Sequence, residues 1–114
     1  MRRSVSTAFL MVVFGLGLGI AELGAGTAQQ KLEMAEVKID NFSFGPAELT
    51  VPVGTTVTWT NRDDIPHTVV STDKVFKSKV LDTDEKFSYT FAQAGNFPYF
   101  CSIHPKMTGK VVVK

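Results

Sequence analysis

At 114 residues, 44% of them hydrophobic, the chain has the length of one domain and apolar side chains enough for one core. Its formal charge of +1 leaves no basic excess for nucleic acid and no acidic tail for a charged partner. The one cysteine excludes an intramolecular disulfide, the paired-cysteine motifs of thioredoxin-like and zinc-ribbon sites, and attached c-type haem, which needs Cys-x-x-Cys-His.

In chain order, Arg2 and Arg3 give a positive start, and Ala8 to Ala21 is an unbroken run of apolar residues and glycine. Gly26-Thr27-Ala28 supplies small residues for a signal peptidase, so residues 1–28 are predicted to be a cleavable signal peptide and 29–114 the folded domain. The apolar run is shorter than the ~20 residues that span a bilayer, and Glu22 ends it, so no stable membrane insertion is expected. The expected location is the periplasm. In that oxidising compartment a free thiol persists when it is buried or metal-bound.

From Glu36 onward the texture is short β-type runs separated by turn residues. Val37 and Ile39, followed by Phe42 and Phe44, open the pattern, and Gly45-Pro46 turns it. Strands are predicted at 48–53, 55–60, 67–71, 86–91, 97–101 and 110–114, with a polar turn at Asn61-Arg62-Asp63-Asp64 and an irregular stretch holding one short strand over 74–81. Phe87, Tyr89 and Phe91 fall on one face of their run. Seven or eight such strands without a helical period predict an all-β fold, an antiparallel Greek-key β-sandwich. Trp59 reads as core, and Lys74, Lys77 and Lys79 as a solvated rim.

Cys101, His104 and Met107 place a thiolate, an imidazole and a thioether at positions i, i+3 and i+6. A tight loop at that spacing can turn all three toward one point. Soft sulfur with imidazole selects copper or zinc over magnesium or calcium, and a Cys with two His and a weak Met is a blue-copper arrangement. The chain's other histidine, His67, is the candidate for the second imidazole. His67 starts its strand and Cys101 finishes another, so antiparallel neighbours would bring both to one end of the sandwich. Each residue alone has an ordinary explanation: a buried small thiol, a turn histidine, a core methionine. Their combination is the specific signal. Structural zinc is disfavoured because Met is a poor zinc ligand.

The stretches Val57-Thr58-Trp59, Asn61-Arg62, Pro66-His67, Ala94-Gly95, Tyr99-Phe100-Cys101, His104-Pro105-x-Met107 and Gly109-Lys110-Val111-Val112-Val113 resemble the cupredoxin family over residues 35–114. The short spacing Cys-x2-His-x2-Met is similar to its amicyanin group, whereas plastocyanin-like members have a longer gap before Met. The resemblance implies one copper ion bound strongly by His67, Cys101 and His104 in a near-trigonal plane, with Met107 as a weak axial ligand. It implies a non-enzymatic, monomeric carrier of single electrons that passes them through the edge of His104 between redox partners, in amicyanin an amine dehydrogenase and a c-type cytochrome. A periplasmic copper-binding or copper-delivery protein would use the same ligands, but no Met- or His-rich tract favours it.

Two positions depart from the family pattern. Thr68 stands where Asn usually follows the first histidine, so that side chain's bond to the residue after the Cys is expected to be lost or taken over by Thr68 with Ser102. Ile103 stands where Pro is usual, which adds an N–H able to point at the Cys101 sulfur and raise the reduction potential.

Overall fold

Alternation along each strand decides which side chains turn inward. In β1 (Met34–Asp40), Val37 and Ile39 are buried between exposed Glu36, Lys38 and Asp40. In β4 (Thr56–Asn61), Val57 and Trp59 point into the core. In β6 (Lys86–Thr90), Phe87 and Tyr89 face inward while Lys86, Ser88 and Thr90 face water, as the run's alternation predicts. The remaining strands are β2 (Ser43–Gly45), β3 (Glu48–Val51), β5 (Val70–Ser71), β7 (Gly95–Phe100) and β8 (Thr108–Val113). The computed structural model describes residues 33–114; the signal-peptide reading of residues 1–28 lies outside the described residues.

Among the described residues the eight strands form two four-stranded sheets, one in the order β2-β1-β4-β6 and the other β3-β8-β7-β5. The fold is an all-β sandwich. Two pairings differ from the antiparallel expectation: β1 lies parallel to β4, and β3 parallel to β8. The chain crosses to the second sheet in β3 before returning as β4, so β4 enters beside β1 in the same direction. The other four pairings are antiparallel.

Some strand ends also differ from expectation, each for a local reason. β3 stops at Val51 because Pro52 has no N–H to donate, and its carbonyl instead accepts from the amide and hydroxyl of Thr55. The strand predicted at 67–71 is ordered as β only at Val70–Ser71. Upstream, the Thr68 amide donates to Cys101 Sγ and the Val69 amide to Ser78 Oγ, so side chains intercept the ladder. β8 begins two residues early because Thr108 and Gly109 continue the β7 register opposite Phe100 and Tyr99.

The core centres on Trp59, fully buried, with Tyr99 edge-on at 5.3 Å and Phe76 and Phe87 tilted against it. Phe76 comes from the irregular 72–81 stretch, where the short strand expected within 74–81 is reduced to two isolated bridges, Lys77 with Val70 and Leu81 with His67. Its ring also meets Tyr89 and Phe91, so a loop residue plugs the gap between the sheets. Lys74, Lys77 and Lys79 stay on the exposed rim, Lys79 with Glu85 at 3.5 Å.

Candidate metal centre

The site is built at the end of the sandwich where β5 begins and β7 finishes. β5 and β7 pair antiparallel with Val70 opposite Phe100, so His67 and Cys101 lie at the same end, as strand direction predicts. His67 is pinned by two backbone bonds with Leu81, 3.1 and 2.8 Å. The loop after Cys101 closes on itself: the Cys101 amide donates to the Met107 carbonyl at 3.1 Å, and the Met107 amide to the His104 carbonyl at 2.9 Å. Those bonds return the chain into β8 and hold the loop residues next to the thiol.

His67 Nδ1 lies 3.6 Å and His104 Nδ1 3.8 Å from Cys101 Sγ. The ligand atoms of the three residues fall within 4.8 Å of one another. Cys101 and His67 are fully buried, His104 is half-buried, and Met107 is buried at the loop's end, where it lines the mouth with His104. These spans fit an ion at the centre. Metal bonds of about 2.3 Å to sulfur and 2.0 Å to nitrogen, opened to roughly 120°, separate S and N by about 3.7 Å. The donor set of one thiolate, two imidazoles and a nearby thioether is that of a soft transition metal.

The sulfur sits among donors. The Thr68 amide reaches it at 3.4 Å and the Thr68 hydroxyl at 3.8 Å. Burial pushes the Cys101 thiol up, but the Thr68 amide, His67 and His104 outweigh it and lower the pKa to about 6. The thiolate that a metal needs is therefore present at neutral pH. The backbone amide that joins Thr68 at the sulfur is that of His104. The expected Ile103 N–H is not among the sulfur's hydrogen-bond partners.

Matching of this kind extends to the rest of the chain. The family model for a cupredoxin-like domain covers residues 8–113. The chain belongs to the cupredoxin family. It is 33% identical to the amicyanin of Paracoccus denitrificans, over 98% of this chain and 95% of that one. Among solved structures it resembles a purple cupredoxin from Nitrosopumilus maritimus, with a TM-score of 0.68, 36% identity, and coverage of 70% of this chain and 99% of that one. A similar likeness holds to an amicyanin variant in its Cu(I) form, with a TM-score of 0.69, 37% identity, and coverage of 76% and 88%.

This cupredoxin handles its first departure as expected. Thr68 Oγ1 lies 2.7 Å from Ser102 Oγ and accepts the Ser102 amide at 2.7 Å, so threonine with serine ties the ligand loop to the β5 side. Two residues with evident roles at the site escaped the sequence reading. Asp63 belongs to the turn read only as polar; its Oδ2 lies 2.8 Å from His67 Nε2. Burial works to raise the Asp63 carboxyl, but the Phe42 and Asn41 amides and His67 hold it below the usual range. An ionised Asp63 can accept a hydrogen bond from Nε2–H, the tautomer in which Nδ1 would be free to bind a metal instead of donating to the sulfur. Phe42, read as a strand residue, instead packs edge-on against both histidine rings. The four-residue interval from Asp63 to His67 was the one available signal, and alone it is too common to single out.

Proposed function

We propose that this cupredoxin holds one copper ion through Cys101, His67 and His104, with Met107 as a weak axial ligand, in the exported form of the chain. The domain is a mononuclear blue copper electron carrier and not an enzyme. The observation that carries the ligand assignment is a buried thiol with two imidazole Nδ1 atoms at 3.6 and 3.8 Å. Copper bound there supplies a one-electron couple between Cu(I) and Cu(II). Asp63 fixes the His67 tautomer, and the Thr68 amide steadies the electron-rich sulfur. The loop bonds from Cys101 and Met107 hold the donors in place when charge changes.

His104 is the half-buried member and opens on a shallow mouth lined also by Phe42, Ile103, Pro105, Lys106 and Met107. An apolar rim around an exposed imidazole edge suits brief docking of a redox protein, whose interface is small. Pro105→Glu is expected to slow electron transfer to a partner several-fold while the copper spectrum stays unchanged. Residues 1–28 act as a cleaved signal that delivers the carrier to the periplasm. Mass spectrometry of the mature protein checks this: a chain starting at or near Gln29 is expected, and an intact amino terminus in the membrane fraction overturns it.

The visible spectrum of the copper-loaded protein tests the ligand set. An intense thiolate-to-copper charge-transfer band is expected, absent in Cys101→Ser. A colourless oxidised copper form of the unsubstituted chain overturns the reading. The delivery alternative predicts copper transfer to an acceptor during function; the carrier predicts repeated oxidation and reduction with the metal retained.

A further inference from the structure

Asp40 pairs with Ser43 at the β1–β2 hairpin, which leaves Asn41 and Phe42 as its two central residues. Both have positive φ, 52° and 58°. A two-residue turn of that kind takes Asn readily at the first position and favours glycine at the second. A phenylalanine there is strained, and its side chain is 48% exposed. Neither the turn nor the core asks for it.

What the ring does is span the metal histidines. Its centroid lies 5.6 Å from that of His67 and 5.1 Å from that of His104, edge-on to both at 87° and 89°. The turn that presents it is held from another loop. The Asn41 amide donates to Asp63 Oδ1 at 2.7 Å, and the Phe42 amide to Asp63 Oδ2 at 3.0 Å. The same carboxylate bonds His67 Nε2. Asp63 is itself held: its amide donates to Asn61 Oδ1 at 2.9 Å, and its carbonyl accepts from Thr83 Oγ1 at 2.6 Å. Asn61 in turn donates to the Ile65 and Leu81 carbonyls, which fixes the base of the loop.

We infer that Asp63 and Phe42 are positioning residues that act as one clamp: the carboxylate locks the strained turn so that the Phe42 ring seats His104 against His67 and screens the ion from external ligands. The inference rests on the ligand set proposed above. It makes the half-buried histidine, which has no carboxylate partner among the described residues, depend on a residue outside the ligand loop. Without the ring, the His104 imidazole turns more freely and the mouth opens to water and small anions.

Phe42→Gly separates this role from a structural one, because glycine is the residue the turn prefers. In the full chain without metal, the denaturation midpoint of Phe42→Gly is expected to equal or exceed that of the unsubstituted protein. Copper loss to a chelator is expected to rise at least tenfold, and azide to perturb a charge-transfer band that it leaves alone in the unsubstituted protein. Should glycine weaken the fold, Phe42→Leu, which keeps an apolar side chain at the turn, carries the same comparison. NMR of the metal-free chain, with only 2 histidines to assign, reads the clamp even if the copper assignment fails. The His104 ring signals are expected to shift and broaden in Phe42→Gly and also in Asp63→Asn. Unchanged His104 signals with unchanged copper loss overturn the inference, and a change confined to His67 in Asp63→Asn overturns the coupling between the two residues.

Discussion

Thr68 serves the site with its backbone and its side chain separately. Its amide donates to the sulfur, and its hydroxyl oxygen takes the Ser102 amide. Thr68→Val keeps the first and removes the second, leaving a part-buried N–H without its acceptor. That omission costs about 1–3 kcal/mol. The denaturation midpoint of metal-free Thr68→Val is expected to fall accordingly, while Thr68→Ser, which keeps the oxygen, stays near the unsubstituted protein. A midpoint for Thr68→Val equal to that of Thr68→Ser would mean that the hydroxyl contributes nothing. Local chemistry of this kind was partly legible: Thr68 and Ser102 stood out as a departure with a partner, but Asp63 gave no sign of the three bonds made by its carboxylate.

The β7–β8 pair sets the geometry from which the ligand loop hangs. Gly109 lies opposite Tyr99 in that register, and the Tyr99 ring covers the glycine. A Cβ at Gly109 would come within 2.4 Å of the Tyr99 ring carbon and hydroxyl. Tyr99 is wedged against Trp59 and Phe44 and has no room to withdraw. Gly109→Ala is therefore expected to destabilise the fold by about 1–3 kcal/mol, the usual range for an overpacked core, measured by chemical denaturation. Because Tyr99 is two residues from Cys101, the same variant is expected to perturb the charge-transfer band. By contrast, Phe76→Ala removes a core ring that packs on Trp59, Phe87, Tyr89 and Phe91 and is expected to cost about 3–5 kcal/mol while leaving the band's shape unchanged. In sequence, Phe76 looked like one apolar residue in an irregular stretch; its irregular backbone hid its place at the centre of the aromatic cluster.

At the scale of the domain, the core and the candidate site overlap on the sulfur side: Cys101 and Met107 belong to the same buried cluster as Trp59, whereas His104 does not. The Trp59 cluster holds the sheets together without any contribution from His104. The metal-free domain is therefore expected to keep its β-sheet circular dichroism, and a metal-free chain that is unfolded would refute this. Copper held at a hundred times its dissociation constant adds about 2.7 kcal/mol, which for a domain of this size raises the melting temperature by roughly 10–20 °C. The sequence by itself determined the inward faces, Val57 with Trp59 and Phe87 with Tyr89, because burial in a strand repeats every second residue. It also made the Cys101, His104 and Met107 spacing legible, because one loop carries all three. Tertiary structure alone decided that β1 runs parallel to β4, that Asp63 reaches back 22 residues to Asn41, and that Phe42 leans on both histidines. Those relations join segments whose spacing in the chain is arbitrary. No local period encodes them, and only the crossing of the chain between two sheets brings them into contact.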